Sequence, residues 1–429
     1  MIGLVDVNNC FVSCERVFNR SLVGRPVAVL SNNDGCCVAR SNEFKALGIA
    51  MGTPYFQLKH REKSGELVFC SSNYELYGDM SRRLISILRD EALDVEQYSI
   101  DEAFITPPSF SFSSDPHSPY LKYGRKLRNK ILRWIGLPCG IGFAPTKTLA
   151  KIADHIAKKC SDGVFVLPDN PSEILASLPA SEVWGVGRRL VVKLRAVQIF
   201  TAKDLRDADD GIIRSVGGVT LLRTAQELRG IPGGEERDYD ADPDSVSCSR
   251  SFGEPVTTLD GISESIASFT AQAAAKLRKH GLLASGCNIY AQIFRSYDSQ
   301  PSIAPLPSSD FLGRTVMFHT PTDATNEMLK AIRKEVDALF IPWKRYRKTG
   351  VVFFGLEKVG TARQLNLFSQ VEKSEASPLY KVIDTLNKRY GKGKVFSAAE
   401  GTCNASWKMK RGKLSKRLTT RWDELLTVR

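Results

Sequence analysis

The sequence predicts a multidomain α+β protein, and three observations predict it. Short β-branched apolar runs alternate with helix-period segments up to about residue 168, the strand signal then vanishes until about residue 231, and it returns after residue 246 in the order strand, helix, strand, strand, helix, strand. A chain of 429 residues also has room for two to four domains at roughly 100–200 residues each.

The first strand is read at residues 2–7, all apolar but for Gly3 and Asp6. Residues 26–30 and 36–39 flank the turn cluster Ser31-Asn32-Asn33-Asp34-Gly35 and read as a hairpin. Further strands are predicted at 67–70, 95–99, 103–106, 139–143 and 164–167, with helices at 74–89, 120–135 and 146–158. The Ser- and Pro-rich stretch 107–119 reads as a surface loop. Residues 169–231 show short helical patterns separated by glycine, a small all-α domain, and 232–245 has the polar, acidic, Pro/Gly composition of a linker. Over 246–356 a helix at 262–281 carries Ile266, Phe269, Ala273 and Leu277 on one face. A second helix is read at 324–339 and strands at 288–296, 314–318 and 348–356. If residues 249–254 also pair, this is a ferredoxin-like split βαβ arrangement. Beyond residue 359 the chain reads as irregular and finally very basic.

Composition narrows the function. Hydrophobic residues at 42% and charged residues at 25% match globular averages. No stretch approaches the roughly 18 apolar residues of a membrane span, and nothing at the N-terminus marks a secretory signal. The expectation is a cytoplasmic protein without a membrane partner. A net charge of +13 favours polyanions, nucleic acid first. The ten cysteines lack Cys-x-x-Cys pairs or paired His spacing, which argues against a zinc site or a disulfide framework and for free thiols.

Three carboxylates carry the candidate chemistry. Asp6 ends the first strand, while Asp101 and Glu102 are read at the tip of a hairpin in Tyr98-Ser99-Ile100-Asp101-Glu102-Ala103-Phe104. Only the fold can bring groups so far apart in sequence together. Acids in apolar strands are costly to bury unless paired or metal-bound, and clustered acids repel unless cations neutralise them. Mg²⁺, a hard ion served by a few carboxylates and substrate phosphates, suits such a set. Two ions would activate an attacking hydroxyl and stabilise a leaving pyrophosphate. On spacing alone, a solvated hairpin tip accounts equally well for Asp101-Glu102.

At this point the residues resemble a family. Asp6-Val7-Asn8-Asn9-Cys10-Phe11-Val12-Ser13-Cys14-Glu15, the stretch 29–56 and Ser99-Ile100-Asp101-Glu102-Ala103 resemble motifs of the Y-family translesion DNA polymerases, in the branch of the UmuC subunits of bacterial DNA polymerase V. The resemblance extends over essentially the whole chain. It implies a palm at 1–168 with small fingers inserted at about 24–70, a helix-hairpin-helix thumb at 169–231, a linker at 232–245, a little finger at 246–356 and a C-terminal extension at 357–429. It further implies error-prone translesion synthesis within the SOS response to DNA damage.

The same resemblance implies Asp6, Asp101 and Glu102 as ligands of two Mg²⁺ ions, assisted by the carbonyl of Val7, and Phe11 as the steric gate against a ribose 2′-hydroxyl. Members often carry Tyr there, so any contact made by its hydroxyl is missing here. Lys45, with Asn42 one turn earlier, aligns with the fingers position that reaches the triphosphate of a deoxynucleoside triphosphate, and Lys151 resembles a palm-helix lysine of the same role. Cations there stabilise charge developing in phosphoryl transfer. Val183-Trp184-Gly185-Val186-Gly187-Arg188-Arg189 resembles a helix-hairpin-helix, in which Gly185, Gly187 and Arg188 would meet a phosphate of primer-template DNA without reading sequence; Gly217-Gly218 is a poorer second copy. Lys344, Arg345 and Arg347 would track the DNA backbone. Gln364-Leu365-Asn366-Leu367-Phe368 closely resembles a sliding-clamp-binding peptide through Gln364, Leu365, Leu367 and Phe368. The tail from Trp407 onward holds eight lysines or arginines against two acids; the family assigns such extensions contacts with a UmuD-type subunit and RecA, while nonspecific DNA contact is the plainer account of the charge. Two rivals stay open: a DNA-binding accessory subunit with a defunct palm, and a metal-dependent nuclease. The absence of a Walker-type sequence argues against a P-loop ATPase.

Overall fold

The computed structural model describes residues 1–110, 115–233, 242–294, 310–361, 378–391, 393–401 and 407–425. It divides into two units, Met1–Arg237 with Gly412–Arg429, and Asp238–Arg411.

The first unit is framed by a five-stranded sheet of β1 (Ile2–Val7), β5 (Asp94–Gln97), β6 (Glu102–Thr106), β7 (Cys139–Ala144) and β8 (Val164–Val166), in the order β5-β6-β1-β7-β8. Strands β2 (Val27–Leu30), β3 (Cys37–Arg40) and β4 (Val68–Ser71) form a separate three-stranded sheet ordered β3-β2-β4. Its own small core is Ala28, Leu30, Phe44, Leu58, Leu67 and Phe69. Helices α1 (Cys10–Phe18), α2 (Asn42–Ala46), α3 (Tyr55–Lys63), α4 (Tyr74–Glu91), α5 (Ser118–Ile135) and α6 (Lys147–Ala157) connect and cover the two sheets. β1 is central, and its alternation sorts the core. Val5 and Val7 join the cluster with Leu84, Leu88, Leu127 and Ile131 from α4 and α5. Leu4 joins Leu149, Ala150 and Ala153 of α6 on the opposite face. Asp6 shares Leu4's parity, so it projects to the α6 side.

The predicted hairpin at 95–106 is present, but its tip is residues 98–101. Glu102 begins β6 and lies opposite Asp6 in the β1–β6 ladder. Residues 169–231 fold as α7 (Ser172–Ser177), α8 (Arg188–Ala196), α9 (Ala202–Asp207) and α10 (Asp210–Leu228). α10 breaks at Gly218, where φ is 68°, a conformation glycine adopts without steric cost.

The second unit contains β9 (Val246–Val256), α11 (Leu259–His280), β10 (Leu282–Ile293), β11 (Phe311–Thr322), α12 (Thr325–Val336), β12 (Tyr346–Lys358) and α13 (Pro378–Tyr390). Its antiparallel sheet runs β11-β10-β12-β9. Each helical crossover skips one strand, as the split βαβ reading requires. The ferredoxin-like label is nevertheless a correction, because here the first and third strands, β9 and β11, occupy the edges, whereas the ferredoxin-like order puts the second and fourth there. The reading of irregular chain beyond 359 is also corrected. α13 is helical, and Arg278 holds it through two bonds to Asp384, Nε to Oδ2 at 2.6 Å and Nη2 to Oδ1 at 3.0 Å.

Candidate active site

The three predicted acids meet at one end of the first unit's main sheet. Asp6 and Glu102 are cross-strand partners, so their side chains leave the same face. Asp101 stands beside them, its carbonyl accepting from the Val7 N–H at 3.0 Å. Ser99 fixes the turn that delivers it: the hydroxyl donates to Asp101 Oδ1 at 2.5 Å and accepts from the backbone N–H groups of Asp101 and Glu102 at 3.2 and 3.0 Å.

Two lysines of α6 and its C-cap answer the negative charge. Lys158 Nζ lies 2.7 Å from Asp6 Oδ1 and 2.8 Å from Asp154 Oδ2. Lys151 Nζ lies 2.6 Å from Glu102 Oε2, within a cage of the Tyr98, Trp184 and Phe104 rings at 4.7, 5.1 and 5.9 Å. Burial, reinforced by Asp154 and Glu102, pushes the Asp6 carboxyl up to about 7, with Lys158 opposing the shift. Burial works to lower Lys158, but Asp6 and Asp154 outweigh it and hold the ammonium above the ordinary lysine range. Asp154 is itself buried and raised for the same reason, and its Oδ1 has no hydrogen-bond partner among the described residues.

This proximity requires glycine on β7. An ideal Cβ on Gly142 would stand 2.1 Å from the backbone nitrogen of Asp154, and one on Gly140 2.5 Å from Asp154 Oδ1. The bare Gly140-Ile141-Gly142 strand lets α6 approach and carries Asp154 and Lys158 to Asp6. The sequence reading missed both. Their i, i+4 spacing at the end of a helix, following a glycine-alternating strand, is the signal that finds them.

Among the described residues, no three His, Cys, Asp or Glu side chains are gathered closely enough to hold a metal ion as they stand. At this site the carboxylates are engaged by Lys158, Lys151 and Ser99 instead. The donors are all oxygen and the acid pair already draws two cations, so the set fits a hard divalent ion.

Asn42 and Lys45 converge on the same place. Asn42 Oδ1 accepts from Asn9 Nδ2 at 3.0 Å, tying α2 to the turn between β1 and α1. Lys45 is lowered from the ordinary lysine value by burial, then by the nearby Arg40 and Lys158 charges, with Asp6 opposing. It therefore sits within electrostatic reach of Asp6 and Lys158. Phe11 lies on α1, stacked on Tyr77 (4.6 Å between centroids, 13° between planes) and meeting the edge of Tyr74 at 5.9 Å.

Gly185 has φ 87°, and Gly187 caps α8 without a side-chain hydrogen bond. Gly185, Gly187 and Arg188 are exposed, which leaves the first amides of α8 open to an anion. In the second unit the alternation of β12 turns Tyr346 inward and Arg347 outward, and Lys344 and Arg345, just ahead of the strand, are exposed as well, Arg345 stacking over Phe294 at 5.1 Å. Gln364, Leu365, Leu367 and Phe368 lie outside the described residues. Part of the tail charge is consumed internally, Lys413 pairing with Glu62 at 2.6 Å and Arg417 with Glu424. No helix among the described residues is long and apolar enough to cross a membrane.

Comparison with known proteins places this geometry. Residues 5–155 match the impB/mucB/samB family and 243–367 match its C-terminal domain. The chain is 40% identical over 437 residues to Protein UmuC of Salmonella typhimurium, with all of both chains covered. It belongs to the impB/mucB/samB family. Protein MucB of Escherichia coli is 36% identical over 99% of each chain, and DNA polymerase IV 1 of Bacillus subtilis is 28% identical over 90% of each. Among solved structures, a Y-family DNA polymerase chimera of Dbh and Dpo4 shares the fold, with a TM-score of 0.60 at 19% identity over 84% of this chain and 100% of that one. Residues 377–428 match a domain of unknown function (DUF4113).

Proposed function

We propose that this chain performs template-directed, error-prone translesion synthesis by two-metal nucleotidyl transfer, in the SOS response to DNA damage. The observation that carries the reading is the convergence of Asp6, Asp101 and Glu102 at the end of β1 and β6, with cations from α6 and the fingers beside them. Asp6, Asp101 and Glu102, with the Val7 carbonyl, would hold two Mg²⁺ ions. Such ions lower the pKa of a primer 3′-hydroxyl and neutralise charge on the departing pyrophosphate. Lys158 and Lys151 neutralise the carboxylates in the free enzyme; once the acids are otherwise satisfied, these ammonium groups are available to the triphosphate together with Lys45 and Asn42. Phe11 occupies the space a 2′-hydroxyl would need. Gly185, Gly187 and Arg188, and Lys344, Arg345 and Arg347, bind phosphates of the primer-template without base readout. The resemblance of residues 364–368 to a clamp-binding peptide adds a sliding clamp to the proposal, and the resemblance of the C-terminal extension to that of UmuC-type chains adds a UmuD-type subunit and RecA.

Replacing Asp101 or Glu102 by alanine tests the site. Nucleotide addition should vanish while DNA affinity stays within a few-fold, since phosphate grip resides in other segments. Near-normal extension by either variant refutes the two-metal assignment.

A further inference from the structure

The tail that matches a domain of unknown function ends on the catalytic unit. Leu414 forms a parallel bridge with Ser71 at the end of β4. The Ser71 N–H donates to the Lys413 carbonyl at 3.0 Å and the Lys413 N–H to Ser71 Oγ at 2.9 Å. Gly412 N–H donates to Asp34 Oδ2 at 2.8 Å. The basic tail is thus stitched to the small sheet by backbone and side-chain bonds.

One residue further on, Ser415 enters a buried relay. Asn73, fully buried and the N-cap of α4, donates from Nδ2 to Ser415 Oγ at 2.9 Å. Ser415 Oγ donates to Glu15 Oε1 at 3.0 Å, and the Tyr77 hydroxyl donates to the same oxygen at 2.6 Å. Glu15 is only 3% exposed and Tyr77 0%. Burial pushes the Glu15 carboxyl up while the two hydroxyls pull it down. A buried carboxylate needs such donors, because an unsatisfied one carries its full desolvation penalty. The Tyr77 ring is the platform on which Phe11 stacks, and Phe11 and Glu15 lie one helical turn apart on α1.

We propose that Ser415 is a positioning residue for the sugar gate: by completing the hydrogen bonds of buried Glu15, the C-terminal segment fixes the Tyr77 ring beneath Phe11 and so sets how strictly ribonucleotides are excluded. The inference rests on the reading of Phe11 as the gate. It gives the tail a role in nucleotide selection, separate from its charge.

The test is single-nucleotide insertion by the full-length chain, comparing kcat/KM for dCTP and rCTP opposite guanine. Phe11→Ala should abolish discrimination. Ser415→Ala should relax it on the order of ten-fold, the scale of one lost bond to a charged group, while kcat for dCTP changes less than three-fold. Tyr77→Phe keeps the ring, removes the hydroxyl, and should relax discrimination similarly, whereas Ser415→Thr restores the hydroxyl and should behave as the parent. If Phe11→Ala loses discrimination while Ser415→Ala keeps it, or lowers dCTP and rCTP insertion equally, the positioning role is wrong and the gate stands. If Phe11→Ala itself leaves discrimination unchanged, the gate reading falls and this inference with it.

Discussion

Replacing Gly142 by alanine asks whether the close approach of α6 to β7 builds the catalytic end of the sheet. The new Cβ would meet Asp154 N at 2.1 Å, the Ala153 carbonyl carbon at 2.6 Å and Asp154 Cα at 2.7 Å, all backbone, where ordinary contact begins at 3.4 Å. No rotamer relieves the clash, so the helix must withdraw by about 1 Å, the deficit against ordinary packing. Overpacking of this kind costs about 1–3 kcal/mol. The same displacement carries Lys158 away from Asp6, now at 2.7 Å, and misplacement of about 1 Å near the chemistry lowers rate about 10²-fold. Gly78→Ala is the matched control. Gly78 sits inside α4, and its nearest neighbour to a Cβ is the Arg82 guanidinium at 3.9 Å, so alanine there should stabilise by about 0.5–1 kcal/mol. Urea unfolding paired with single-nucleotide kcat/KM reads both effects. Gly142→Ala as stable and active as the parent, or Gly78→Ala equally damaging, refutes the packing argument.

Three further outcomes are expected. Because burial pushes the Asp6 carboxyl up to about 7, it is mostly protonated below that pH and protons compete with Mg²⁺. Half-saturating Mg²⁺ for extension should therefore rise as pH falls from 8 to 6, approaching ten-fold per unit below 7, and a requirement flat across that range contradicts the assignment. DNA binding should weaken with salt at a log–log slope of about −4 to −5 if five or so phosphates are neutralised, and removing Arg345 and Arg347 together should flatten it by about 2. Deleting residues 364–368 should leave that slope untouched and abolish stimulation by a sliding clamp; the reverse pattern refutes the clamp assignment.

Strands with β-branched runs bounded by turn residues were legible, β1 to the residue, because local chemistry and tertiary demand agree there. Asp6, Asp101 and Glu102 stood out as candidate acids, although on spacing alone a solvated hairpin tip accounted equally well for the last two. Three things were not legible. The edge positions of β9 and β11 depend on which strands pair, and periodicity carries no pairing information. α13 was obscured because Arg278, about a hundred residues earlier, supplies its anchor. Lys158, Asp154 and Ser415 did not stand out, and Glu15 entered only as the last residue of a motif, because each matters through a partner distant in sequence or a close helix–strand approach. Of the basic tail, whose charge suggested DNA, Lys413 is engaged by Glu62 and Ser415 by Glu15 of the same chain.

The acids at the end of β1 and β6 are proposed to drive templated nucleotide addition. Primer extension by the full-length chain, one deoxynucleoside triphosphate at a time on a defined template with and without Mg²⁺, tests it most directly. The expected result is addition of the nucleotide complementary to the template base, dependent on Mg²⁺ and without degradation of the primer. DNA binding with no addition under any condition, or Mg²⁺-dependent shortening of the primer in place of extension, would contradict it.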